Sequence, residues 1–143
     1  CFSIGSAQPS VSKPPQEILS LANDHVVVLG FVPDISELMS RVKISVNPLR
    51  YGAGVKGKVI TSMSYGVPCI GTSIAVEGMG LTDQKNVLIA DTPQTSADAI
   101  VRLYRDKVLW EKLSTEGHAF VRDNYSLKVA ADKFKRVFKQ LKS

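Results

Sequence analysis

Residues 48–58 read Pro48-Leu49-Arg50-Tyr51-Gly52-Ala53-Gly54-Val55-Lys56-Gly57-Lys58. Residues 44–47, Ile44-Ser45-Val46-Asn47, precede them and read as a strand, which Pro48 ends because it lacks a ladder donor. Residues 55–65 follow, with Val55, Val59, Ile60 and Met63 at helical spacing. A strand, a glycine loop and a helix in succession are the unit from which helix-covered parallel sheets are built.

The same alternation extends outward in both directions. Residues 2–5 read as a strand, residues 7–15 as a Pro/Ser-rich connection, and residues 15–22 as a short helix. The continuous apolar run at 26–29 predicts a strand buried on both faces. Asp34 followed by Glu37 suggests a capping box, opening a helix with Ile35, Leu38 and Met39 inward. Gly66 suits the position just past a helix end. Strands are expected at 69–72 and 87–90, then helices at 95–105, 108–124 and 126–142, the last capped by Ser126. The predicted class is α/β: a doubly wound, Rossmann-like parallel sheet with C-terminal helices. There is no internal repeat.

Composition bounds the rest. The 143 residues suit one domain, with 44% hydrophobic and 22% charged residues. No apolar run approaches the roughly 18–20 residues that cross a bilayer, and the first residues do not resemble a secretory signal. The chain opens at Cys1 on what reads as a strand, so a fragment truncated at its N-terminus is expected. Cys1 and Cys69 fit no metal-ligand spacing and read as buried or incidental thiols of a reducing compartment. Net charge is +5 with a pI near 9.3. Many cations lie after Arg102 among apolar residues, as solvated faces of amphipathic helices. The cations that bear on a ligand are Arg50, Lys56 and Lys58. Nucleic-acid binding, which would be strongly salt-dependent, is not expected.

Open α/β sheets bind ligands at the carboxyl ends of their strands. The first amides of a helix lack partners and carry the positive end of its dipole, so they can hold phosphate oxygens. Gly52 and Gly54 would admit those oxygens close to the backbone. Lys56 and Lys58 oppose the dipole, which makes sense if an anion sits between. A Gly-rich turn with lysines in solvent is the plainer alternative, since the spacing matches neither the Rossmann nor the P-loop pattern. Further on, Val67-Pro68-Cys69-Ile70-Gly71-Thr72 reads as a buried strand. Glu77 and Gly78 after it could meet ligand hydroxyls or form a surface turn.

Taken together, residues 28–79 resemble the C-terminal domain of group 1 glycosyltransferases of the GT-B fold. The matching residues are Gly30, Val32 and Asp34; Pro48 and Leu49; Gly52, Gly54, Lys56 and Lys58; Gly66 and Pro68; and Glu77 with Gly78. Asn124-Tyr125-Ser126 before the last helix also fits the family's tail, so the resemblance covers nearly the whole chain.

The resemblance implies that residues 1–143 are the donor-binding half of a retaining glycosyltransferase, with the acceptor domain absent from this chain. The partners implied are a nucleotide-diphosphate sugar and the protein's own N-terminal acceptor domain, with no obligatory metal. Arg50, Gly52, Ala53, Gly54, Val55, Lys56 and Lys58 would hold the diphosphate, with helix-start amides at residues 52–55. Phe31, Val32 and Thr61 would meet the nucleoside, and Glu77 and Gly78 the sugar. A cytoplasmic or membrane-peripheral location is expected.

The sequence departs from the family where a Glu-x7-Glu pair is common. The first glutamate falls near Ala53 and the second on Thr61, whose hydroxyl is uncharged and shorter in reach. A catalytic residue is therefore not assigned, and a catalytically inactive homologue serving as a scaffold is the main rival. A receiver-like module would need an acidic cluster that Asp34 lacks. His25 reads as a strand-entry residue, His118 as a helix-surface residue and Trp110 as packing between helices. Tyr51 either stacks on the ligand or covers the sheet edge. The last helix in relatives often crosses to the N-terminal domain, so the stripe of Val129, Phe134, Val137 and Phe138 is expected to be partly uncovered.

Overall fold

The computed structural model describes residues 2–6, 16–52 and 54–141. The expected connection at 7–15, Cys1 and the site position Ala53 lie outside the described residues. The chain divides into two compact units, Cys1–Arg41 and Val42–Ser143.

In the first unit β1 (Phe2–Ser6) pairs in parallel with β2 (Val26–Phe31), and the short helices α1 (Gln16–Leu19) and α2 (Ser36–Arg41) complete it. The Asn23 side chain shapes the entry to β2 by accepting the N–H groups of His25 and Val26. β2 is not buried on both faces as its apolar run predicts. Its residues alternate between half-buried and exposed, with Val27, Leu29 and Phe31 at 40, 39 and 43% exposure. A continuous apolar run gives hydropathy but not cover, and this strand stands in a two-stranded sheet. Asp34 does help start α2, but by accepting the Ser36 N–H at 2.8 Å. That bond and the neighbouring Ser36 hydroxyl hold the Asp34 carboxyl below its usual range.

The second unit carries a parallel sheet in the order β3 (Ser45–Asn47), β4 (Cys69–Gly71), β5 (Leu88–Ile89). Around it run α3 (Gly57–Ser64), α4 (Ser73–Val76), α5 (Pro93–Arg105), α6 (Lys107–Tyr125) and α7 (Leu127–Leu141). All three residues of β4 are buried, and its neighbours serve opposite faces. Cys69 joins Val59, Met63, Val76, Met79, Val87 and Val121 in one cluster. Ile70 joins Leu88, Ala90, Leu103, Leu109 and Leu113 in another. The strand is therefore covered by helices on both sides, as the doubly wound class requires. Each fully buried aliphatic side chain contributes roughly 1.5–3 kcal/mol.

Helix ends follow their local chemistry. Past α3 the Val67 N–H bonds to Ser62 O at 3.0 Å and the Gly66 N–H to Met63 O at 2.9 Å. This is a Schellman stop with Gly66 left-handed at φ 71°, as its place in the sequence predicts. α5 starts earlier than its apolar spacing suggests. Thr92 is its N-cap in a capping box with Thr95, and Pro93 opens the first turn, where its missing N–H costs nothing. The Ser126 hydroxyl accepts the Val129 N–H at the start of α7, as expected. Trp110 is half-buried against the second cluster, and its Nε1 donates to Lys43 O at 2.8 Å. The Lys43 ammonium in turn lies 4.2 Å above the Tyr104 ring. His25 stands at the entry to β2 and His118 is exposed on α6, as read from the sequence.

Candidate functional site

Register decides where the second unit can hold a ligand. Asn47 pairs with Gly71, and Gly71 pairs with Ile89, so the three strands end at one level. The connections leaving them are the loop from residue 48 to 56, α4 with the turn behind it, and Ala90 with Asp91. All three gather at the carboxyl edge, where open parallel sheets place their ligands.

Asn47 ties the first two strands together. Its side chain donates to Ser45 Oγ at 3.2 Å and to Cys69 Sγ at 3.1 Å, and its carbonyl accepts the N–H groups of Leu49 and Thr72. Burial pushes the Cys69 thiol up to about 12 against the opposing bond from Asn47. Cys69 is therefore an un-ionised core thiol, as expected.

Next comes the glycine loop. Gly52 and Gly54 take φ values of 138° and 76°, in the region that favours glycine. The Lys56 ammonium folds back onto it, donating to Gly52 O at 3.1 Å and Gly54 O at 2.8 Å. An ammonium carries three donors, so these bonds leave one. Tyr51 is 87% exposed and does not cover the sheet edge.

α3 begins at Gly57, with Lys56 as its N-cap and without a side-chain cap. This corrects the expectation that residues 52–55 supply helix-start amides. Gly52, Gly54 and Val55 precede the helix, and Val55 is 58% exposed rather than on its inner stripe. The reason is anchoring: Val59 and Met63 enter the core, and α3 extends back only to the turn they hold. The helix-start amides belong to Gly57 and Lys58. Lys58 is exposed in the first turn, and Thr61, half-buried, stands one turn further along the same face. Arg50 is exposed in the loop.

After β4 the chain enters a helix that its sequence did not announce. Thr72 is the N-cap of α4, its hydroxyl accepting the Ala75 N–H at 3.2 Å. Asp91, just past β5, accepts both the Ser73 N–H at 2.7 Å and the Ser73 hydroxyl at 2.8 Å. Those bonds, the backbone one foremost, hold the Asp91 carboxyl below its usual range. α4 delivers the chain to a turn closed by Met79 N–H on Val76 O at 3.2 Å. Glu77 has φ −54° and ψ 132°, and Gly78 has φ 71°. These are the torsions of a type II turn, whose third position needs a positive φ. Glu77 and Gly78 are exposed on it, while Val76 and Met79 on either side are buried. The Tyr125 hydroxyl braces the turn from α6 by donating to Met79 O at 3.3 Å.

The structure thus places Arg50, Gly52, Gly54, Val55, Lys56, Lys58, Thr61, Glu77 and Gly78 in the second unit, on or beside two connections of the carboxyl edge. Phe31 ends β2 of the first unit and Val32 follows it. Sequence reading passed over Thr72 and Asp91, whose capping roles show in Thr72-Ser73 only once α4 is known. Among the described residues, no group of three or more His, Cys, Asp or Glu side chains is placed to hold a metal ion. Nor is any described helix long and apolar enough to cross a membrane.

Comparisons with known proteins bear on the family and the fold. A family model described as "Glycosyl transferases group 1" matches residues 3–106. The chain is 25% identical over 139 residues to the "Uncharacterized 44.6 kDa protein in cps region" of Klebsiella pneumoniae, covering 95% of this chain and 35% of that protein. It therefore spans about a third of the length of that relative. Among crystal structures, HepE of Anabaena in complex with UDP and glucose superposes with a TM-score of 0.78 at 15% identity, over 95% of this chain and 39% of that one. The C-terminal domain of LpcC, a glycosyl transferase group 1 family protein of Francisella tularensis, gives a TM-score of 0.65 at 20% identity, over 78% and 60%. At these identities the likeness shows the fold.

Proposed function

Starting from the premise that this chain belongs to the group 1 glycosyltransferases, we propose that it is the donor-binding half of a retaining enzyme. That enzyme would transfer a sugar from a nucleotide diphosphate to a glycan or other acceptor. The observation that carries the reading is the uncapped start of α3 beside the glycine loop at the carboxyl edge. The diphosphate rests on the Gly57 and Lys58 amides, with the Lys58 ammonium, Arg50 and the third Lys56 donor around it. The Gly52–Gly54 backbone shapes the loop on the other side. Negative charge grows on the leaving diphosphate in the transition state, so donors fixed at that point lower the barrier directly. These cations do the neutralising that a metal would otherwise supply, so chelation by EDTA is expected to leave donor binding unchanged.

The sugar is assigned to Glu77 and Gly78, where the type II turn presents a carboxylate beside open backbone. Thr61 is assigned to the ribose, one turn along α3 from Lys58. Phe31 and Val32 are proposed for the base. That HepE was crystallised with UDP and glucose supports a nucleotide-sugar ligand for this fold. The acceptor domain is proposed as the partner of α7. Its Phe134, Val137 and Phe138 are 67, 53 and 60% exposed, as expected for the uncovered stripe. A cytoplasmic or membrane-peripheral location completes the reading.

Titration of the full-length protein with UDP-, GDP- and dTDP-sugars tests it. Micromolar to millimolar binding of one of them is expected, and binding of none overturns the proposal. One observation favours a second reading, a non-catalytic homologue: an uncharged Thr61 stands on α3 where the family commonly has a carboxylate. Donor binding with neither transfer nor hydrolysis would decide for it.

A further inference from the structure

Thr72 joins the two connections to which the diphosphate and the sugar are assigned. Its hydroxyl donates to Leu49 O at 2.6 Å, in the loop that leaves β3. The same oxygen accepts the Ala75 N–H at 3.2 Å, inside α4. Its own N–H reaches Asn47 O at 3.3 Å, at the end of β3, just where the first connection leaves the sheet. The residue is buried, at 9% exposure. Few side chains can serve here. A hydroxyl gives and accepts at once, whereas a methyl in its place would leave Leu49 O and the Ala75 N–H both short of a partner. Close packing also seats α4 directly on β4, since a Cβ added at Gly71 would stand 3.2 Å from Ala75 Cβ and 3.5 Å from Val76 Cγ1.

We propose that Thr72 is a positioning residue that sets the spacing between the phosphate-holding loop and the Glu77–Gly78 turn. This rests on the donor-binding reading above. Diphosphate and sugar belong to one covalent ligand, so the distance between their two subsites must match a length that the ligand fixes. A site built from two independent loops would have to be ordered at each binding event, and a bond between the loops removes that cost beforehand. Thr72 touches neither ligand part. Its effect falls on whichever ligand engages both connections together.

A nucleoside diphosphate alone engages the first connection, and the nucleotide sugar engages both. The test compares full-length wild type, Thr72→Val and Thr72→Ser by calorimetric titration with the nucleoside diphosphate and the nucleotide sugar of the base that binds. Thr72→Val is expected to weaken the nucleotide sugar about tenfold, or about 1.4 kcal/mol, and the nucleoside diphosphate by less than about threefold. Thr72→Ser, which keeps the hydroxyl, should bind both within about twofold of wild type. Unchanged affinities in Thr72→Val, or equal losses for both ligands, overturn the positioning role while leaving the donor reading in place. A wild type that binds no nucleotide sugar overturns both. Should Thr72→Val fail to fold, hydrogen exchange on the wild type gives a second measurement. The nucleoside diphosphate alone should then slow exchange at residues 73–80 as well as 49–58, because coupling between linked sites is reciprocal. Protection confined to 49–58 would refute the link.

Discussion

The two connections at the carboxyl edge are built on opposite principles. The loop after β3 is largely exposed, with two left-handed glycines held by one lysine side chain and, among its described residues, only the half-buried Leu49 as an apolar contact. The connection after β4 sinks Ala75, Val76 and Met79 into the core and is pinned by Thr72, Asp91 and Tyr125. Yet each ends in exposed groups suited to a polar ligand. The difference teaches that a binding edge can combine a segment that adapts with a segment that serves as its reference. Substitutions in the first should then register mainly in binding, and substitutions in the second mainly in stability.

The largest expected effect is Met79→Ala, which opens a cavity beside Val59, Met63 and Val76. It should cost roughly 2–5 kcal/mol in chemical denaturation, and a loss under about 1 kcal/mol would mean the second connection is not a core element. A paired comparison is sharper. Gly54 and Gly78 share nearly the same φ, 76° and 71°, and an added Cβ at either meets nothing within 4 Å. Only the surroundings differ. Gly78→Ala should lose about 1–2 kcal/mol, the cost of a left-handed non-glycine residue. Gly54→Ala should lose less than about 0.5 kcal/mol because its exposed loop can readjust. Equal losses would erase the distinction.

Lys58→Ala should leave the unfolding midpoint within about 0.5 kcal/mol of wild type, while weakening the nucleoside diphosphate about tenfold, as for a lost charge-assisted bond. A drop in stability with unchanged affinity would reverse the assignment. The smallest effect concerns pH. The Asp91 carboxyl is held below its ordinary value by Ser73, so its contribution is present above that value and lost as pH falls through the lowered one. Asp91→Asn should therefore lower stability slightly in the neutral region and converge on wild type in acid, so that chemical denaturation across pH shows a flatter acid limb. Cys69 acts at the other end. Its raised value means that stability declines as pH climbs from the ordinary 9.0 toward about 12, since only the unfolded chain gains the thiolate freely.

Much of this was legible before any coordinates. The α/β alternation, the stop at Gly66, the cap at Ser126 and the buried Cys69 follow from local chemistry that the residues carry with them. The burial of β2, the start of α3 and the presence of α4 do not follow from it. In each case the deciding partner lies elsewhere in the chain. Val55 has helical spacing, but the helix begins where Val59 and Met63 find their core. Thr72-Ser73 looks like the end of a strand until Asp91, 18 positions beyond Ser73, accepts its N–H and hydroxyl at the start of α4.

The sequence by itself determined the class, the family and the glycine–lysine loop, because periodicity, turn chemistry and motif spacing are properties of neighbours along the chain. Tertiary structure alone decided that the loop and the Glu77–Gly78 turn share one edge and that Thr72 spans them. Register and packing bring together residues 23 positions apart, and no local pattern records which distant carbonyl a buried hydroxyl will find.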